Sequence, residues 1–140
     1  MSDRYFLDTN ILIYSFDDTD GRKRDRARAL IADALAGPGV ISFQVVQEFL
    51  NVALRKFSKP MTAQQARDYL DAVLVPLCRV QSEPELYRDA LAAQQRWRFS
   101  FYDSLVVAAA LRSRCSILYS EYLQHGQAIG DLVVIDPFRG

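Results

Sequence analysis

The segment Arg4-Tyr5-Phe6-Leu7-Asp8-Thr9-Asn10-Ile11-Leu12 decides how the rest of the chain is read. Tyr5, Phe6 and Leu7 are β-favouring or apolar, so Arg4–Leu7 reads as a short strand that stops at the polar triplet Asp8-Thr9-Asn10. A brief helix over Ile11–Tyr14 follows. Beyond the polar turn Asp17–Gly21, Ala27, Leu30, Ile31, Ala34 and Leu35 recur at helical spacing and predict a helix over Arg22–Leu35, ended by Gly37-Pro38-Gly39. Val40 and Ile41 form a minimal strand, and Ser42 is placed to cap a helix over Phe43–Phe57.

The same alternation continues. Thr62 is expected to cap a fourth helix reaching about Val75, and Cys78–Val80 reads as a third strand. Pro84, with acids beside it, starts a helix through Trp97. Ser100-Phe101-Tyr102-Asp103 has the form of a capping box opening an almost wholly apolar helix to Leu111, an element expected to be covered on most sides. Ile117–Tyr119 and Val133–Ile135 complete a set of five strands. Short apolar strands alternating with helices predict a parallel sheet covered on both faces, a three-layer α/β/α sandwich. In such sheets ligands bind outside the carboxyl ends of the strands.

The bulk properties narrow the classes of function. The chain has 140 residues, half of them apolar, enough for one core, and is expected to form a single domain over 1–140. Lys plus Arg and Asp plus Glu number 17 each, so no global positive field announces a nucleic acid or a membrane surface. Cys78 and Cys115 have no metal-ligand spacing and read as free core thiols. No apolar run is long enough to span a bilayer and no signal peptide is present, so a cytoplasmic protein is expected.

Three acids fall where that fold would place chemistry. Asp8 follows the first strand, at the carboxyl edge of the sheet; alone, it reads more readily as the cap of the next helix. Glu48 shares a polar stripe with Gln44, Asn51 and Arg55, which alone reads as a solvated helix face. Asp103, beside Phe101, Tyr102 and Leu105 at the start of a buried helix, will be partly enclosed and must find a hydrogen bond, a cation or a proton. Carboxylates converging on one pocket suit Mg²⁺ or Mn²⁺, which can polarise a phosphate and acidify water without a histidine. The lone histidine, His125, reads as a surface or packing residue. The basic run Arg22, Lys23, Arg24, Arg26 and Arg28 reads as a solvated helix face, and Leu70 and Val73 as core or partner contacts.

The segments Phe6–Leu12, Ser42–Asn51, Phe101–Leu105 and Leu118–Gly126 together resemble the PIN domain family, and within it the VapC-like toxins of bacterial toxin–antitoxin pairs. The resemblance implies a Rossmann-like sandwich with a five-stranded parallel sheet and metal-dependent hydrolysis of RNA. It also implies a small antitoxin partner and a homodimer. By the same resemblance Asp8, Glu48 and Asp103 fall on catalytic, metal-binding acids, with Mg²⁺ or Mn²⁺ held most directly by Asp8 and Asp103. Asn10 and Ser120 fall on polar positions lining the site, and Arg55 stands where it could meet a phosphate. One position departs: where the family carries a fourth acid, this chain has Tyr122, with Glu121 beside it. A neutral phenol lowers the charge that holds cations, so the alternative is a metal-poor PIN-like binding module with weak or no nuclease activity. An Asp after a strand also marks haloacid-dehalogenase phosphatases and receiver domains. The former want a second Asp where Asn10 stands and the latter an acidic pair at the first strand end.

Overall fold

The computed structural model describes residues 3–139. Its strands are β1 (Tyr5–Leu7), β2 (Gly39–Ser42), β3 (Cys78–Val80), β4 (Ile117–Tyr119), β5 (Ala128–Ile129) and β6 (Leu132–Ile135), arranged β3-β2-β1-β4-β6-β5. All neighbours are parallel except β5, which pairs antiparallel with β6. The expected five parallel strands are present as β1, β2, β3, β4 and β6, and β5 adds a sixth, antiparallel strand at the edge. Gly130, at φ 61°, makes the turn that folds Ile129 back onto Leu132. A strand of two residues has no periodicity to betray it in sequence.

Phe6 and Leu7 show why the sheet is the middle layer. Successive strand residues point to opposite faces, yet both are completely buried. Helix α7 (Phe101–Arg112) lies across β2 and β4 with α6 (Pro84–Trp97) packed against it, and its residues Ser104–Ala110 are all buried. Also packed around the sheet are α1 (Thr9–Tyr14), α2 (Gly21–Ala36), α3 (Phe43–Arg55), α4 (Ala63–Tyr69) and the one-turn α5 (Val75–Leu77). No helix among the described residues is long and apolar enough to cross a membrane.

Several local expectations are corrected by packing. The fourth helix changes at Leu70–Leu74 to a π-helical segment in which the Val75 N–H reaches the Leu70 carbonyl. Pro76 follows, with no N–H to continue a regular α-helix. Leu70 and Val73 are partly buried against the core, whereas Val75 is exposed. Ser42 caps no N–H of α3; its hydroxyl is buried without a partner. The basic run of α2 lies on a largely exposed face, as expected, and also ties other segments down: Arg22 and Arg26 donate to the Phe138 and Pro137 carbonyls, and Arg28 to that of Ser15. Phe49 stacks on Tyr69 with centroids 4.8 Å apart, and Phe16 and Phe57 join them, tying the end of α1 to α3 and α4. Cys115 is buried and Cys78 half-buried, both free.

At Gly39 the start of β2 lies against the last turn of α2 with no room for a side chain. A Cβ there would lie 2.1 Å from Ala34 Cβ and 2.6 Å from Ala34 Cα, so the helix would have to move. Gly39→Ala is expected to destabilise the fold by about 3 kcal/mol, read as a lower urea midpoint. A loss of only a few tenths would mean that α2 sits further from β2.

Candidate functional site

The sheet has its switch point at β1: the chain moves outward from β1 through β2 to β3, then returns to place β4 on the other side of β1. Crevices at such points, beyond the carboxyl ends of the strands, are where open α/β sheets bind ligands. Asp8 follows β1 and Ser120 follows β4. Each is tied to the neighbouring strand, the Asp8 N–H to the Tyr119 carbonyl and the Ser120 N–H to that of Ile135, both at 3.0 Å.

A cavity of about 340 Å³ opens there, lined by Asp8, Asn10, Gln44, Glu48, Tyr102, Asp103 and Tyr122 among others. The three acids thus reach one cavity from three elements: the end of β1, the second turn of α3 and the first turn of α7. No basic side chain is among the described residues that line it. Asp8 is almost fully buried. Its carboxylate accepts hydrogen bonds from the Thr9 N–H at 2.8 Å and the Ser120 hydroxyl at 2.9 Å. Burial pushes its pKa from 3.8 up to about 6; those hydrogen bonds oppose the rise and the charges of Glu48 and Asp103 add to it.

The Thr9 hydroxyl donates to Glu48 at 2.8 Å, so one residue steadies two of the acids. Ser100 accepts the Asp103 N–H at 3.1 Å, but the reciprocal half of the expected capping box is absent. No hydrogen bond reaches the Asp103 carboxylate from the described residues. All-oxygen donors and uncompensated negative charge are what a hard divalent cation needs, and the residues fit one on that ground. Among the described residues no group of three or more Asp, Glu, His or Cys side chains is arranged so that it could hold a metal ion. Mg²⁺ keeps several waters and is commonly held by one or two carboxylates, so Asp8 and Asp103, with Glu48 direct or through water, are the residues available to it.

The remaining sequence candidates separate. Asn10 lines the cavity and accepts the Glu121 N–H at 3.3 Å. Ser120 is completely buried behind Asp8 and orients it rather than lining the space. Arg55, at the exposed end of α3, does not line the cavity. Tyr122 stands at the cavity with its side chain exposed. His125 is exposed, away from the acids, and accepts the Asp136 N–H.

Glu121 turns away, accepting the Tyr14 hydroxyl at 2.6 Å and pairing with Lys23. Burial alone would raise its carboxyl; the bonds from Lys23 and Tyr14 outweigh that and hold it below the usual range. Burial, then the bond to Glu121, push the Tyr14 phenol up to about 12. Glu121→Gln is expected to cost about 1 kcal/mol or less in urea unfolding and to leave divalent-cation affinity unchanged by titration calorimetry. Loss of cation binding would return Glu121 to the site.

Thr9, Gln44 and Tyr102 were not legible as site residues, although each adjoins one that was. Gln44 was expected on a solvated stripe; it is buried and donates to the Tyr102 carbonyl at 3.2 Å, because α3 tilts this face toward the start of α7.

A largely parallel α/β sheet with carboxylates at its switch point defines the class, a Rossmann-like protein with an acidic cleft. The chain belongs to the PIN domain family, whose sequence model matches residues 5–121. Among similar solved structures is a toxin–antitoxin complex from Klebsiella pneumoniae, 21% identical with a TM-score of 0.70 over 95% of this chain and 97% of that one. VapC20 of Mycobacterium tuberculosis, described as a sarcin–ricin loop cleaving toxin, is 20% identical with a TM-score of 0.61 over 83% and 88%. VapBC2 from Rickettsia felis, bound to a DNA fragment from its promoter, is 18% identical with a TM-score of 0.61 over 93% and 96%. At these identities the likeness is one of fold. No curated protein sequence gives a significant match.

Proposed function

We propose that this chain is a divalent-metal-dependent endoribonuclease and the toxin of a toxin–antitoxin pair. The observation that carries the reading is the convergence of Asp8, Glu48 and Asp103 on one cavity with no basic residue among its described lining. Bound Mg²⁺ or Mn²⁺ would supply charge to polarise a phosphodiester and to acidify water. Asp8 and Asp103 would hold it. Thr9 and Ser120 keep Asp8 ionisable and aimed at the cavity, and Thr9 restrains Glu48. Val52, Val106 and Ile13 give the cavity apolar walls, which strengthen charge interactions inside it.

The partner reading, a small antitoxin and a cytoplasmic homodimer, draws support from PIN-family membership and from the toxin–antitoxin complexes among the structural neighbours. The test is cleavage of total RNA by the purified protein in Mn²⁺ or Mg²⁺, abolished by excess EDTA, with co-purification of the product of the adjacent open reading frame. Cleavage that persists in EDTA would sink the metal mechanism. One observation favours the second reading, a metal-poor binding module: Tyr122 reaches the cavity and adds no charge. That module would show no thermal response to Mn²⁺.

A further inference from the structure

The two most exposed large hydrophobic side chains among the described residues are Tyr122, 74% exposed, and Tyr102, 66% exposed. Both line the acidic cavity. They come to it from separate elements, Tyr102 from the first turn of α7 beside Asp103 and Tyr122 from the segment after β4. Single exposed apolar side chains are ordinary, but two exposed rings at the same cavity call for one explanation.

Their backbones are fixed while their rings are not. The Tyr102 carbonyl accepts from buried Gln44, and the Tyr122 N–H donates to the Ser120 hydroxyl, itself bonded to Asp8. No hydrogen bond from the described residues engages either phenol, and the one aromatic neighbour of Tyr102 is Phe101, edge-on at 5.7 Å. Each ring therefore stems from a backbone anchored beside the acids and keeps most of its surface open. The cavity also lacks a usual source of nucleic-acid affinity. Phosphate contacts by Lys and Arg commonly supply it, but no basic residue is among the described lining and the chain has no net charge.

We propose that Tyr102 and Tyr122 form an aromatic clamp that stacks the nucleobases on either side of the scissile phosphate and so holds the RNA strand at the acids. The proposal rests on the nuclease reading above. Stacking supplies affinity where charge does not, and it is open only to bases released from a duplex, whose faces are otherwise occupied. Both rings and both acids line one cavity, so a strand stacked on the rings would carry its phosphates past Asp8 and Asp103.

The experiment uses a pool of short unpaired oligoribonucleotides randomised around a central 2-aminopurine, whose fluorescence is quenched by stacking, with Ca²⁺ present to neutralise the carboxylates. Wild type, Tyr102→Leu, Tyr122→Leu and the two Phe variants are compared. Expected are quenching by wild type and both Phe variants, about tenfold weaker binding with each Leu variant, and no response from the same pool annealed to its complement. Undiminished binding and quenching by the Leu variants, or none by wild type, overturns the clamp. Cleavage of the same pool by wild type in Mn²⁺ is scored separately. Its absence counts against the nuclease reading, while the binding arm still decides the clamp.

Discussion

Asp103→Asn is expected to lower metal-dependent RNA cleavage by about a thousandfold or more, since Lewis-acid assistance is worth several kcal/mol and each 1.36 kcal/mol is tenfold in rate. The substitution keeps size and shape, and the N–H that Ser100 accepts is untouched, so α7 should start as before. What is lost is one full negative charge from a carboxylate that receives no hydrogen bond from the described residues. Single-turnover cleavage at saturating Mn²⁺ measures the loss, and a melting curve in EDTA checks the fold. A variant within about tenfold of wild type would place Asp103 outside the machinery.

Asp8→Asn is expected to raise the stability of the metal-free protein at neutral pH. Burial favours the protonated form of Asp8 in the folded state, raising its pKa from 3.8 to about 6. The folded protein then binds more protons than the unfolded chain between those values, so stability falls as pH rises through that window. The penalty is complete above about pH 6 and vanishes toward pH 4. Fully realised, a rise of this size corresponds to about 3 kcal/mol; loss of the carboxylate's bonds from Thr9 and Ser120 will reduce the gain. Metal-free Asp8→Asn should therefore melt several degrees above wild type at pH 7.5 and level with it near pH 4. Mn²⁺ should raise the melting temperature of wild type alone, because only the state that binds the ion is stabilised by it. A wild type that gains nothing from Mn²⁺ would favour the metal-poor module. An Asp8→Asn that melts below wild type at both pH values would mean the carboxylate is structural.

Much of the fold was legible because its signals are local. Cys78–Val80, Ile117–Tyr119 and the helix Pro84–Trp97 have the bounds expected of them, since each is an apolar or periodic run between clear breaks. Thr62 forms its capping box with Gln65, one turn away. The antiparallel edge was not legible: Ala128-Ile129 is too short to carry a pattern and is a strand only because Gly130 returns the chain to pair with β6. The π-helical segment needed the constraints of Pro76 and the surrounding core together.

The placement of acids at the ends of strands and the starts of helices was determined by the sequence itself, because a strand ends where apolar residues give way to polar ones and a helix begins where a side chain can satisfy its free N–H groups. Asp8 and Asp103 are read that way. Which side chains share a cavity was decided only by the tertiary structure. Asp8, Glu48 and Asp103 meet because parallel crossovers bring the end of β1, α3 and the start of α7 to one edge of the sheet. Direction was settled there too. Glu121 and Tyr122 are adjacent in sequence, yet one turns to Lys23 and Tyr14 and the other to the acids. A side chain outside regular structure points where its partners stand, and those partners are about a hundred residues away along the chain.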